Sequence, residues 1–499
     1  MLGVSFFVKS VWEVFLSTVE KYPNKIAIAD DISKYTYKEL FDKVKSINGL
    51  LAKYKNRNPI VIFAERSTET VAQILGVIGS GNFYIPLDPT LPKEKIKAIF
   101  EDAKPVAVLG SKEDINILKA SNLDVDFYST LEINNNDSEF SPLNGDEPLY
   151  MIYTSGSTGQ PKGVLKSHNG MISFLEAFSK LFPFEDDTII GNQAPLFFDA
   201  AAKDLYLSIY NGATLEIIPS QKFILPVGLI NYINERKINW ICWVPSIFCL
   251  ISKLNIFIEE KPLYLRKIFF VGEVFPIKHL SKWIENLPTA KFVNLYGSTE
   301  IAGVCCYYEI KDNIENINVL PMGKAMPNCE ITLRDNDKVI TEPDIVGEIY
   351  ISSPALALEY YHDKEKTSSV FIEENGKRVF QSGDLARYDK NYNICFVSRK
   401  DFQIKHMGRR IELGEIEAVC DKLPEINRCC CLYDERREMI TLFCELNTDL
   451  TSQEIRELLK DKLADYMIPS KVKIYEKLPL NANGKINRQE LKESLIERK

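Results

Sequence analysis

Leu149-Tyr150-Met151-Ile152-Tyr153-Thr154-Ser155-Gly156-Ser157-Thr158-Gly159-Gln160-Pro161-Lys162-Gly163 carries the strongest local signal in the chain. Leu149 to Ile152 is an apolar run that reads as a strand. It leads into a loop with three glycines, four hydroxyl side chains and Lys162. Glycines let a backbone fold closely around an anion and turn N–H groups inward. The hydroxyls add donors and the lysine adds charge, so the loop suits phosphate. It is not a Walker A loop, because the G-x-x-x-x-G-K-[ST] spacing is missing.

On either side of this loop, strand-like and helix-like segments alternate. Pro59 to Ala64 is a continuous apolar run, as in a strand buried on both faces. Val71, Ile74, Leu75 and Ile78 then form a helical stripe that stops at Gly79-Ser80-Gly81. Trp240 to Val244, Lys267 to Val271 and Lys291 to Leu295 are strand-like, and Leu280, Trp283, Ile284 and Leu287 mark a helix between the last two. This pattern predicts an α/β fold of mostly parallel layers, with a mixed α+β part at the C-terminal end. Thr36 with Glu39, and Thr451 with Glu454, have capping-box spacing; the second would open a helix running to about Leu463. The polar stretch 134–148 reads as a linker between subdomains. Asn483-Gly484 reads as a tight turn, followed by a charged closing helix.

The 499 residues allow roughly two to four domains. Apolar residues make up 45% and charged residues 26%, so the chain can bury a sizeable core. A net charge of -8 offers no basic surface for nucleic acid or an anionic membrane. The eleven cysteines include the adjacent runs Cys305-Cys306 and Cys429-Cys430-Cys431 and no C-x-x-C. That usage fits reduced, buried thiols in a cytoplasmic protein better than a disulfide framework or a zinc site. The start of the chain lacks a basic, cleavable leader. Val11, Val14, Phe15, Thr18 and Val19 instead form a helical stripe. Ile241 to Ile258 contains Pro245 and Lys253, and reads as a strand followed by a core helix, not a membrane span.

With the glycine-rich loop, several further strings resemble the adenylate-forming superfamily, which includes acyl-CoA synthetases and the adenylation domains of nonribosomal peptide synthetases. They are Tyr35-Thr36-Tyr37-Lys38-Glu39-Leu40, Tyr84-Ile85-Pro86-Leu87-Asp88, Asn294-Leu295-Tyr296-Gly297-Ser298-Thr299-Glu300, Gly347-Glu348-Ile349, Ser382-Gly383-Asp384-Leu385, Arg410 to Glu417, and Asn483-Gly484-Lys485. They stand in the family's order along nearly the whole chain. Ser298, Gln381, Ser382 and Ser398 are mild departures from the usual pattern.

The resemblance implies a division into residues 1–400, which bind ATP, and a smaller lid of residues 401–499, with a hinge at Asp401. Thr154, Ser155, Gly156, Ser157, Thr158, Gly159 and Lys162 would hold the phosphates. Asn294, Tyr296, Gly297, Ser298 and Thr299 would hold the adenine and α-phosphate. Asp384, Phe396 and Arg399 would lie at the ribose. Glu300 would bind Mg2+, a hard cation that prefers oxygen ligands. Lys485, with Thr299 and Glu300, would be catalytic, its ammonium bridging two anions as charge develops between them. Lys405 and Gly408 would serve a later thioester step.

By the same register, Asp199 would pair with a substrate ammonium. Ala200, Lys203, Cys242, Phe269, Val271, Leu295, Gly303 and Val304 would line the pocket. Lys203 lies one helical turn beyond Asp199. A lysine among apolar walls needs an anion. An acidic substrate side chain would supply one; so would an internal pair with Asp199, or a turn toward Asp204. The implied activity is ATP-dependent activation of an amino acid, an acidic one favoured, and transfer to the phosphopantetheine thiol of a separate carrier protein. D-Alanine is the alternative substrate, suggested also by Phe270-Val271-Gly272-Glu273-Val274. An acyl- or aryl-CoA synthetase is the alternative enzyme.

Overall fold

The computed structural model describes residues 10–54, 57–120, 123–129, 140, 143–154, 161–258, 260–311, 314, 317, 319–336, 338–401, 403–480 and 486–496. Ser155, Gly156, Ser157, Thr158, Gly159, the Asn483-Gly484 turn, Lys485 and most of the 134–148 stretch lie outside the described residues.

Two large sheets organise the first three-quarters of the chain. The first has nine strands, its middle formed by Lys291–Tyr296, Lys267–Val271, Trp240–Trp243, Ile189–Asn192, Thr214–Ile217 and Ile26–Ala29, all paired in parallel. The second has seven, with Pro148–Thr154, Phe83–Leu87, Pro59–Phe63, Ala107–Gly110 and Asp126–Ser129 in parallel. Both have antiparallel edges, among them Lys162–Ser167 beside Pro148–Thr154. The α/β expectation therefore holds.

The central strands, such as Pro59–Phe63 and Phe83–Leu87, are apolar because they bury both faces. Trp240 and Cys242 join the main core between the sheets, whereas Ile241 and Trp243 pack on the far side against helices Pro226–Glu235, Pro245–Lys253 and Ile277–Asn286. In the second sheet Ile60 and Ile62 join the main core while Val61 and Phe63 face a separate cluster. Thr36 and Thr451 each form a complete capping box with Glu39 and Glu454. The second helix, Ser452–Lys460, is shorter than the expected run to Leu463, because Asp461 caps it and a tight turn, Asp465–Met467, follows. All eleven cysteines are unpaired and buried. No helix among the described residues is long and apolar enough to cross a membrane.

A third, antiparallel sheet holds the long strands Lys377–Tyr388 and Ile394–Arg399, in which Asp384 and Arg399 are register partners. After it comes a hairpin, Gln403–His406 with Arg409–Glu412, and then a three-stranded sheet covered by helices Leu413–Cys420 and Ser452–Lys460. This last part has its own apolar core, including Ile411, Ile416, Cys431, Leu442, Ile455 and Leu459.

Candidate active site

A cavity of about 200 Å3 opens where the parallel strands end. It is lined by Thr154, Val244, Val271 and Gly272, and by Gly297, Ser298 and Thr299 after strand Lys291–Tyr296. Open α/β sheets bind ligands at this carboxyl end, where loops leave the strands. The hairpin of residues 403–412 covers one side and contributes Gln403, Lys405, Gly408, Arg409 and Arg410.

Glu300 is fully buried behind the cavity wall, against the lining residue Arg410. Arg410 Nη1 donates to both of its carboxylate oxygens at 2.8 Å, and the Tyr360 hydroxyl donates at 2.9 Å. Lys162 Nζ stands 3.5 Å away and 4.0 Å over the Tyr360 ring. Burial alone would raise the Glu300 carboxyl, but Arg410 and Lys162 hold it well below the usual carboxylate range. Lys162 is pushed down to about 8, by burial first and then by Arg410.

Asp384 organises the neighbouring corner. It accepts from the Tyr296 hydroxyl and from Arg399 Nη1 at 2.6 Å. Arg399 also donates to both oxygens of Asp401, at 2.7 and 2.9 Å. Burial opposes the charge on Arg399, yet the two carboxylates raise it above its ordinary range. Lys405 extends to within 5.4 Å of the Tyr296 ring centre. Asn294 donates to the Pro321 carbonyl at 2.7 Å, and Phe396 packs against the main core.

The hairpin is seated by Gly408. Its N–H donates to Glu273 Oε1 at 2.7 Å, and Glu273 Oε2 accepts from the Ser246 N–H at 3.0 Å. Gly408 has φ +74°, and a Cβ there would lie 2.3 Å from Val244 Cγ1. Only glycine fits this position.

Asp199 opens helix Asp199–Asn211 and faces the cavity with Ala200, Lys203, Val271, Gly303 and Val304. Gly303 has φ +72°, and a Cβ would meet the Phe174 ring at 2.4 Å. Cys242, Phe269 and Leu295 belong to the main core and are not cavity-lining residues. Of the anions expected for Lys203, the structure shows Asp204. Its ammonium pairs with the adjacent Asp204, itself held by Asn192 at 3.2 Å, so a buried anion within the chain takes the charge. Asp199 is partnered as well: Lys166 Nζ reaches its two oxygens at 2.6 and 2.8 Å, and the Tyr150 hydroxyl donates at 2.9 Å.

The hydroxyl oxygens of Thr154 and Ser298 are buried at the cavity and have no hydrogen-bond partner among the described residues. Idle hydroxyl donors beside Lys162 fit anionic phosphate oxygens. Glu300 has the right chemistry for Mg2+, but in this arrangement Arg410 takes both its oxygens. Lys166, Tyr150, Tyr360, Glu273 and Arg410 are site residues that sequence reasoning missed. For Lys166 a signal existed: a lysine inside a strand of otherwise buried residues must have an anion nearby.

The AMP-binding enzyme family model matches residues 15–361, and the model of the AMP-binding enzyme C-terminal domain matches residues 415–485. The chain belongs to the AMP-binding enzyme family. It is 30% identical to Bacitracin synthase 1 of Bacillus licheniformis, over 97% of this chain but only 9% of that protein. The chain thus spans less than a tenth of that relative. Over 96% of its length it is 30% identical to 99% of the D-alanine--D-alanyl carrier protein ligase of Bacillus licheniformis. Among solved structures, the Vibrio cholerae adenylation domain AlmE in complex with glycyl-adenosine-5'-phosphate aligns with a TM-score of 0.86, at 20% identity and 100% of both chains. An AMP-binding enzyme fold, including the C-terminal subdomain, thus extends along the chain.

Proposed function

We propose that the protein uses ATP to activate an amino acid as its aminoacyl-adenylate, releasing pyrophosphate, and then passes the acyl group to the phosphopantetheine thiol of a separate carrier protein. The observation that carries this reading is the convergence on one cavity of the Thr154 and Ser298 hydroxyls, unpartnered among the described residues, the Asp384–Arg399 pair and Asp199, with Lys162 the strand partner of Thr154. The hydroxyls, Lys162 and the pair suit a nucleotide's phosphates and ribose. Asp199 marks the place of the acid.

In this reading Lys162, Thr154, Ser298 and Thr299 neutralise and orient the α-phosphate so that two anions can meet. Asp384 accepts from ribose hydroxyls, with Arg399 fixing its position. Tyr296 and Asn294 belong to the adenine end. Lys485 completes the charge neutralisation in the first step. Mg2+ supplies further neutralisation of phosphate charge; Glu300 would hold it once Arg410 has withdrawn. Residues 401–499 act as a lid turning about Asp401. The seated hairpin, with Lys405 and Gly408 in the cavity wall, is the arrangement that suits the thioester step. D-Alanine is the second reading of the substrate, favoured by the full-length match to a ligase of that name. The acidic side chain expected from Lys203 has lost its anchor to Asp204.

ATP–pyrophosphate exchange across the common L- and D-amino acids tests the proposal. Exchange with at least one of them, and loading of a holo carrier but not of coenzyme A, is the expected result. No exchange with any acid would overturn it.

A further inference from the structure

The strand Lys162–Ser167 is buried along its length, and Lys166 lies within it with 1% of its surface exposed. Its ammonium makes three contacts: Asp199 Oδ1 at 2.6 Å, Asp199 Oδ2 at 2.8 Å and the Ile301 carbonyl at 3.1 Å. A carboxylate plus a main-chain carbonyl is the set of acceptors that a primary ammonium on a ligand would seek. Lys166 therefore satisfies from within the chain the group that faces the acid pocket. Asp199 still reaches the cavity, with 19% of its side chain exposed, but its charge is cancelled.

We propose that Lys166 is a specificity-determining residue that lowers the preference of this pocket for an ammonium, so that the 2-hydroxy acid with the same side chain competes with the amino acid. The inference rests on the acid-activating reading above. Beside a neutral Lys166–Asp199 pair, a ligand ammonium brings an unbalanced positive charge into a poorly solvated place. A hydroxyl brings none, and donates to a carboxylate that still has unused lone pairs. In a pocket without the lysine the same carboxylate would favour the ammonium through a charge-assisted bond.

The test compares kcat/KM for adenylation of matched pairs by pyrophosphate release: L-leucine with 2-hydroxyisocaproate, L-phenylalanine with phenyllactate, L- and D-alanine with the lactates, and L-glutamate with 2-hydroxyglutarate. In Lys166→Met and Lys166→Gln the ratio of amino acid to hydroxy acid should rise by about tenfold or more over wild type, the difference between a charge-assisted and a neutral hydrogen bond. Lys166→Arg, which keeps the charge, should leave the ratio near wild type. An unchanged ratio in folded Met and Gln variants overturns the inference. If neither variant folds, the wild-type ratio decides: a preference of about a thousandfold or more for the amino acid overturns it, and a ratio within about tenfold supports it. Activity with amino acids alone refutes the role of Lys166 and leaves acid activation standing, whereas turnover of no acid refutes the activation reading itself.

Discussion

One nitrogen of Arg410 donates to both carboxylate oxygens of Glu300, each at 2.8 Å, across 110 positions of sequence. Arg410 rides on the hairpin and Glu300 on the turn after a central strand. The contact therefore reports whether the hairpin is seated, and it competes with any cation for Glu300.

Arg410→Ala should weaken hairpin seating and free Glu300. We expect pyrophosphate exchange to stay within about threefold of wild type, half-saturation by Mg2+ to fall, and transfer to a carrier thiol to slow by about tenfold or more. Separate assays of the two half-reactions check this. A loss confined to pyrophosphate exchange would place Arg410 in the first step instead.

Gly408→Ala puts a Cβ 2.3 Å from Val244 Cγ1 at a residue with φ +74°. The seated hairpin cannot absorb both the contact and the strain. Thioester formation should drop by about a hundredfold while adenylate still accumulates. Quenched-flow measurement of acyl-AMP and of acyl-thioester separates the two.

Lys162 titrates near 8 because burial disfavours its charge. As pH rises through that value the ammonium is lost, so KM for ATP should climb between pH 7.5 and 9, and Lys162→Arg should flatten the climb. The stability effect has the opposite sign. The unfolded chain holds this proton up to the ordinary 10.5, so the lysine makes the folded state gain stability as pH rises from about 8 to 10.5. A pH series of KM values, beside urea titrations, tests both signs.

Lys203→Ala leaves Asp204 buried with the Asn192 hydrogen bond and the more distant Arg66 charge to hold it. Breaking a buried pair from one side should destabilise the fold by roughly 3 kcal/mol. The substrate preference should stay as in wild type, since the lysine's charge is spent on Asp204. Chemical denaturation and an exchange screen check the two halves; a switch away from acidic substrates would restore the anchor role.

Lys485→Ala should abolish adenylate formation, by about a thousandfold, with ATP binding retained. Isothermal titration with ATP and pyrophosphate exchange form the pair of measurements; near wild-type exchange would remove Lys485 from the first step.

Much of this architecture was legible in the sequence, because it follows from local rules. Pro59–Phe63 is a strand whose unbroken apolar run is buried on both faces, and Ile268, Phe269 and Phe270 do the same within Lys267–Val271. The capping boxes at Thr36 and Thr451 are four-residue devices and need no tertiary context. Contacts that depend on distant partners were not legible. Lys166 finds Asp199 33 positions away, and Gly408 finds Glu273 135 positions away. Lys203 was ambiguous for the same reason: its sequence neighbours Asp199 and Asp204 were both within reach, and packing against Trp240 and Cys242 selects Asp204.

The burial of every native thiol has a practical consequence. Cys249, Cys329, Cys430 and Cys444 are each pushed up to about 12 by their apolar surroundings, so little reactive thiolate exists at neutral pH. Met407, at the tip of the hairpin, is 64% exposed. A cysteine installed there would outpace the native eleven in alkylation, and a fluorophore on it would read hairpin motion in real time without a cysteine-free background.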